Sequence, residues 1–135
     1  MSLFDASAIV NLLKRGRASV FVGGYTIELA RYEAANAIWK EQRIGKLDEE
    51  TALRFLSLIR KALEILEVVP IAGLEEGIYR LAVGEGLTFY DAAYLYVAIH
   101  NKLALVTDDV ELRERGAKYV VAKASSDLAL SYPTR

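Results

Sequence analysis

The 135-residue chain has no cysteine, one histidine, two prolines and one methionine. Without cysteine there is no disulfide framework and no thiolate nucleophile, and His100 alone cannot build an ordinary Cys/His zinc site. Any chemistry therefore falls to carboxylates, hydroxyls or bases other than imidazole. No stretch reaches the roughly 18–20 apolar residues of a membrane span. The opening residues, Met1 to Ser7, lack the basic and long apolar regions of a secretory signal, so a soluble, cytoplasmic protein is expected. A surplus of either charge is missing too. The 17 basic and 18 acidic side chains leave a net charge of −1, so no overall field draws the chain to nucleic acid or anionic lipid, and a bound polyanion must be held locally. What is present is apolar: 53% hydrophobic residues and a mean hydropathy of +0.20 exclude disorder. The length suits one domain over residues 1–135. Three asparagines and one glutamine beside abundant Glu, Lys and Arg lean towards thermophile usage.

Apolar periodicity and breakers give the order of elements. Leu3-Phe4 reads as a strand ending at Asp5, and Ala8, Ile9, Leu12 and Leu13 as a helix up to Gly16. Ser19-Val20-Phe21-Val22 reads as a strand interrupted by Gly23-Gly24 and resumed at Tyr25-Thr26-Ile27. From Glu28 to about Ile44 no breaker intervenes and alanines favour helix. Asp48 can cap the next helix, with Phe55, Ile59, Ala62 and Leu66 on its stripe, and the two form a hairpin. Glu67 to Ile71 is a short strand, and Leu74 to Gly84 a short helix. Thr88 can cap a helix over Tyr90 to Asn101 that has almost no polar face and should be buried. Leu103 to Val106 and Tyr119 to Val121 complete the strands, with a helix over Asp109 to Arg115 between them and a polar tail after. Strands apolar throughout and alternating with helices indicate an α/β fold: a mainly parallel sheet covered on both faces.

In such a sheet, ligands sit beyond the carboxyl ends of the strands. Asp5 ends the first strand, and Asp108-Asp109 follow Val106 closely. Asp91 lies in the first turn of the buried helix, where the macrodipole favours negative charge. Glu33 lies early in the long helix, with Asn36 one turn on and so on the same face. If these groups converge, they cannot all stay ionised without a counter-charge. All-oxygen donors suit Mg²⁺ or Mn²⁺, and such a centre serves phosphoryl or phosphodiester hydrolysis.

Four segments in order, Asp5-Ala-Ser7, Tyr32-Glu33-Ala-Ala-Asn36-Ala-Ile-Trp39, Tyr90-Asp91-Ala-Ala-Tyr94 and Leu105-Val106-Thr107-Asp108-Asp109, give the chain a likeness. It resembles the PIN-domain ribonucleases, especially the small toxins of VapBC toxin-antitoxin pairs, over nearly its whole length. The resemblance implies an acidic quartet of Asp5, Glu33, Asp91 and Asp109 that binds metal and catalyses. Ser7, Asn36 and Thr107 would support it, and Asp108 would take the variable place of a Thr-x-Asp motif. It further implies a Mg²⁺- or Mn²⁺-dependent endoribonuclease, dimeric and inhibited by a partner antitoxin. On that reading Lys14, Arg15 and Arg17, or Arg113 and Arg115, would grip the RNA backbone.

Each residue also has a plainer reading. Asp5 can end a strand, Glu33 can be solvated, Asp91 can be only a first-turn charge, and Asp108 or Asp109 can cap the following helix, the role preferred for Asp108. Trp39, Tyr90, Tyr94 and Tyr96 fit core or dimer interface better than base-stacking, and His100 fits a helix end. Rival functions share the architecture. A PIN nuclease of RNA processing or quality control would use the same site. A receiver-like module would need paired acids after the first strand and a lysine soon after Val106, and a haloacid-dehalogenase-type phosphatase would need Asp-x-Asp where Asp5-Ala-Ser7 stands.

Overall fold

Five short strands, β1 (Ser2–Phe4), β2 (Tyr25–Ile27), β3 (Glu67–Val69), β4 (Ala104–Val106) and β5 (Ala122–Lys123), form one parallel sheet in the order β3-β2-β1-β4-β5. The computed structural model describes residues 1–131, the last three by backbone alone. Its helices are α1 (Ala6–Lys14), α2 (Leu29–Arg43), α3 (Glu49–Ile65), α4 (Glu75–Glu85), α5 (Phe89–His100), α6 (Val110–Gly116) and α7 (Ser125–Ser131). After β1 the chain builds outwards on one side through β2 and β3, and β4 returns to the other side of β1. The order therefore reverses between β1 and β4, which opens a crevice at their carboxyl ends.

Local chemistry explains the elements that reach this crevice. Thr88 caps α5 by accepting from the Asp91 amide at 3.1 Å, and Gly86 at φ 69° ends α4 in a conformation that costs glycine little. The apolar α5 packs against β1 and β4 and buries Ala92, Ala93, Tyr94, Leu95, Val97 and Ala98. Gly77 lets α4 lie close on α5, because a Cβ there would stand 2.5 Å from the Tyr96 hydroxyl. On the helix layer carrying α1, the α2–α3 hairpin packs as the periodicity requires, with Asp48 accepting from the Thr51 amide at 2.8 Å. Leu3, Ile9, Leu12, Leu95 and Leu105 have no exposed surface, and each such side chain contributes about 1.5–3 kcal/mol by leaving water.

Three expectations need correction. Residues 19–22 are not a strand: Ala18–Phe21 is a 3-10 turn that inserts Phe21 edge-on against Phe4, with ring centroids 5.2 Å apart. A short apolar run has no period long enough to separate a buried turn from a strand. The last strand is Ala122–Lys123 rather than 119–121, since pairing with β4 begins at the Val121 carbonyl and leaves Tyr119 and Val121 exposed. The expected polar tail instead contains β5 and α7. The Ser125 amide and hydroxyl both donate to the Asp108 carboxylate, at 2.7 and 2.6 Å, which anchors α7.

Candidate active site

Asp5 leaves β1 with its amide still bonded to the Val106 carbonyl at 3.1 Å, which fixes it beside the end of β4. One carboxylate oxygen accepts from the Ala8 amide at 2.9 Å, capping α1, and from the Ser7 hydroxyl at 2.7 Å. The other accepts from the Thr107 hydroxyl. Asp5 thus ends the strand and caps α1, as the turn reading expects, while its second oxygen faces the end of β4. Burial pushes its pKa up to about 6, against the pull of the Thr107, Ala8 and Ser7 hydrogen bonds and with help from the Asp108 charge. Thr107 also accepts from the Asp109 amide at 3.1 Å, and Ser7 from the Asp108 amide at 3.0 Å. The loop after β4 is therefore laced to the first turn of α1.

The other acids arrive from three further elements. Glu33 on α2 accepts from the buried Tyr94 hydroxyl at 2.8 Å, a contact spanning 61 positions. Burial, then the Glu33 charge, holds that phenol far above its usual range, so it remains a donor. Asp91 lies half-buried in the first turn of α5. Burial first, then the charges of Asp109, Glu33 and Glu111, push its pKa up to about 6. Asp109 caps α6, accepting from the Leu112 amide at 2.8 Å. Asp5, Glu33, Asp91 and Asp109 line one cavity of about 350 Å³, together with Ser7, Asn11 and Glu41.

A cavity of this kind suits a hydrated divalent cation. All its charged donors are carboxylate oxygens, and burial pushes two of them towards their neutral forms, Asp91 with help from the neighbouring carboxylates. The ion pairs of the described residues lie elsewhere, apart from Lys14–Glu41 at the rim. Among the described residues, no three acidic or histidine side chains stand close enough to ligate one ion directly. A divalent cation held among them would keep part of its own water shell. A larger hollow of about 450 Å³ on α3, between Arg54, Phe55, Leu58 and Lys61, contains no carboxylate.

Residues 2–118 match the family model of the PIN domain. The chain belongs to the PIN domain family. Within it, this PIN domain is 45% identical over 86 residues to Exonuclease VapC9 of Pyrobaculum aerophilum, a match covering 64% of this chain and 62% of that relative. The aligned stretch is thus under two thirds of that exonuclease's length. It is 36% identical over 91 residues to Ribonuclease VapC3 of the same organism, covering 67% of this chain and 70% of the relative. The crystal structure of PAE2754 from Pyrobaculum aerophilum superposes with a TM-score of 0.79 at 36% identity, over 96% of this chain and 86% of that one. PIN-domain nucleases generally use divalent metal ions.

The PIN domain places the remaining candidates unevenly. Ser7 and Thr107 hold Asp5, but Asn36 is exposed in a neighbouring groove with Tyr32, Glu33 and Tyr90. Three residues on from Glu33 the helix has turned back by about 60°, whereas steps of four carry it forward. The face towards the cavity is accordingly Glu33, Ala37 and Glu41. Asp108 does not cap α6. It accepts from the Asn11 side chain at 2.6 Å and from Ser125. Burial opposes its ionisation, but those hydrogen bonds together hold its pKa below the ordinary value. Sequence reasoning missed Asn11, Glu41 and the partnership of Tyr94 with Glu33; only the spacing of four between Glu33, Ala37 and Glu41 signalled any of them. Arg113 donates to the Thr107 carbonyl at 2.8 Å, Arg115 pairs with Glu111 at 3.3 Å, and Arg15 reaches Ser125 at 3.4 Å. Arg17 precedes the 3-10 turn. Tyr94 is core, Tyr96 stacks on His100 at 5.8 Å, and Trp39 and Tyr90 are exposed.

Proposed function

We propose that this PIN domain is a Mg²⁺- or Mn²⁺-dependent endoribonuclease and the toxin of a VapBC-type pair. The observation that carries the reading is the convergence of Asp5, Glu33, Asp91 and Asp109 on one cavity at the β1–β4 crevice, with none of the four in an ion pair among the described residues. A divalent cation held there supplies charge neutralisation, an activated water and a grip on the scissile phosphate. Asp5, Asp91, Asp109 and Glu33 would hold it, in part through its own waters, while Thr107, Ser7 and Tyr94 keep two of those carboxylates aimed. Ribonuclease VapC3 supports RNA as the substrate class, and both VapC relatives support a cognate antitoxin as the partner. Large apolar side chains exposed on α2 and α3, among them Tyr32, Trp39 and Leu53, support a homodimer. Among the described residues no helix is long and apolar enough to cross a membrane.

The relative named an exonuclease gives a second reading, cleavage from an end. A circular single-stranded RNA separates the two, because it has no end. With Mn²⁺ or Mg²⁺ the purified chain should linearise the circle, and a chelator or Asp91→Asn should stop it. Degradation of linear RNA alone would favour the exonuclease, and no cleavage of either with any divalent metal would overturn the ribonuclease reading.

A further inference from the structure

Among Lys14, Arg15, Arg113 and Arg115, only Lys14 is paired to a residue lining the acidic cavity. It stands in the last turn of α1, and its ammonium donates to a Glu41 oxygen at 2.6 Å. Glu41 lies two turns beyond Glu33 on the cavity-facing side of α2. It is a fifth carboxylate of the cavity and already has its counter-charge. The two side chains keep 34% and 23% of their surface exposed, so the pair is weak and open to exchange. RNA approaching this site meets carboxylates, and the chain's net charge of −1 offers no field to offset them. A local cation is required at the rim, and a compact ammonium on a flexible stem can change partners without moving the helix that carries it.

Resting on the ribonuclease reading, we propose that Lys14 is a substrate-binding residue. On binding, it leaves Glu41 for an RNA backbone phosphate beside the one being cleaved. Glu41 is the positioning residue that keeps the ammonium at the rim between turnovers. Glu41 and the phosphate thus compete for one cation, which gives the two side chains opposite signatures.

The test is steady-state cleavage of a short single-stranded RNA at several salt concentrations, with Mn²⁺ titration and thermal melts as controls. Lys14→Met keeps most of the stem and removes the charge. It should raise KM about fivefold to tenfold, the upper part of the range of one ordinary solvent-exposed hydrogen bond, and leave kcat within about twofold. It should also flatten the slope of log kcat/KM against log salt by about 0.7, the share of one phosphate contact on a single strand. Glu41→Gln removes the competitor and should lower KM, with Mn²⁺ affinity unchanged. A purely structural ion pair would lower both melting temperatures and leave KM and the salt slope alone. An unchanged KM and slope in Lys14→Met, or a raised KM or weakened Mn²⁺ binding in Glu41→Gln, overturns the proposal while an active wild type keeps the ribonuclease reading. A wild type that cleaves no RNA overturns both.

Discussion

Replacing Asp5 by Asn in the metal-free protein should make it less stable in acid and more stable at neutral pH. In the folded chain the Asp5 pKa is pushed from 3.8 up to about 6. A raised folded-state pKa means that the stabilising contribution is full below the unfolded value and is lost as pH rises through about 6. The gap between the two values corresponds to about 3 kcal/mol. Asn resembles the protonated acid in shape and never acquires the charge, so it escapes that loss. It can still cap α1, but it cannot accept on both sides, and the Thr107 hydroxyl loses its acceptor, at a cost of about 1 kcal/mol. The variant should therefore be about 1 kcal/mol less stable than wild type at pH 3 and about 2 kcal/mol more stable at pH 7.5. The latter corresponds to a melting temperature roughly 6–10 °C higher for a chain of this length. Denaturant unfolding followed by circular dichroism, with chelator present, measures both. Subtracting wild type from variant at each pH removes the titration of every other group except those coupled to Asp5. A difference that stays flat from pH 3 to 7.5, or a variant less stable at both, would leave Asp5 a turn residue alone.

Further outcomes follow from neighbouring contacts. Tyr94→Phe removes the donor to Glu33 and should weaken Mn²⁺ binding about tenfold, as the loss of an outer-shell partner does, with the far-ultraviolet spectrum unchanged; an unaltered isotherm would show that Glu33 needs no positioning. Light scattering at micromolar concentration should give twice the chain mass of 15.0 kDa; a monomer would contradict the dimer. Co-expression with a neighbouring small DNA-binding protein should give a co-purifying, nuclease-silent complex, in which a basic side chain neutralises the carboxylates. A protein that neither co-purifies nor inhibits would count against the toxin reading and leave the nuclease one standing.

What the sequence made legible was whatever local pattern controls. The Thr88 cap, the unbroken apolar face of α5 and the Asp48 cap depend on neighbours three or four positions away, and each stands where spacing placed it. The switch-point logic placed Asp5 and Asp109 at one sheet edge, because strand ends in a parallel sheet share a direction. Contacts between distant segments were not legible. Asp108 and Asp109 are chemically alike, and it is distant partners, Asn11 on α1 and Ser125 on α7, that occupy Asp108 while Asp109 caps α6. Tyr94 read as core and is core, yet its hydroxyl serves Glu33 across the helix layer. Asn36 was expected on the Glu33 face and does share an exposed groove with it, but the step of three turns Asn36 away from the acidic cavity that Glu33 lines with Ala37 and Glu41.

Four carboxylates from separate segments that act as one divalent-cation centre should each contribute to one binding event. Calorimetric titration of Mn²⁺ into metal-free protein tests it most directly, using wild type, Asp5→Asn, Glu33→Gln, Asp91→Asn and Asp109→Asn. Asn caps a helix about as well as Asp, so Asp109→Asn should keep α6 intact. Wild type should bind saturably, and each variant should bind at least about tenfold more weakly while remaining folded. No binding to wild type, or variants that bind Mn²⁺ as wild type does, would contradict this.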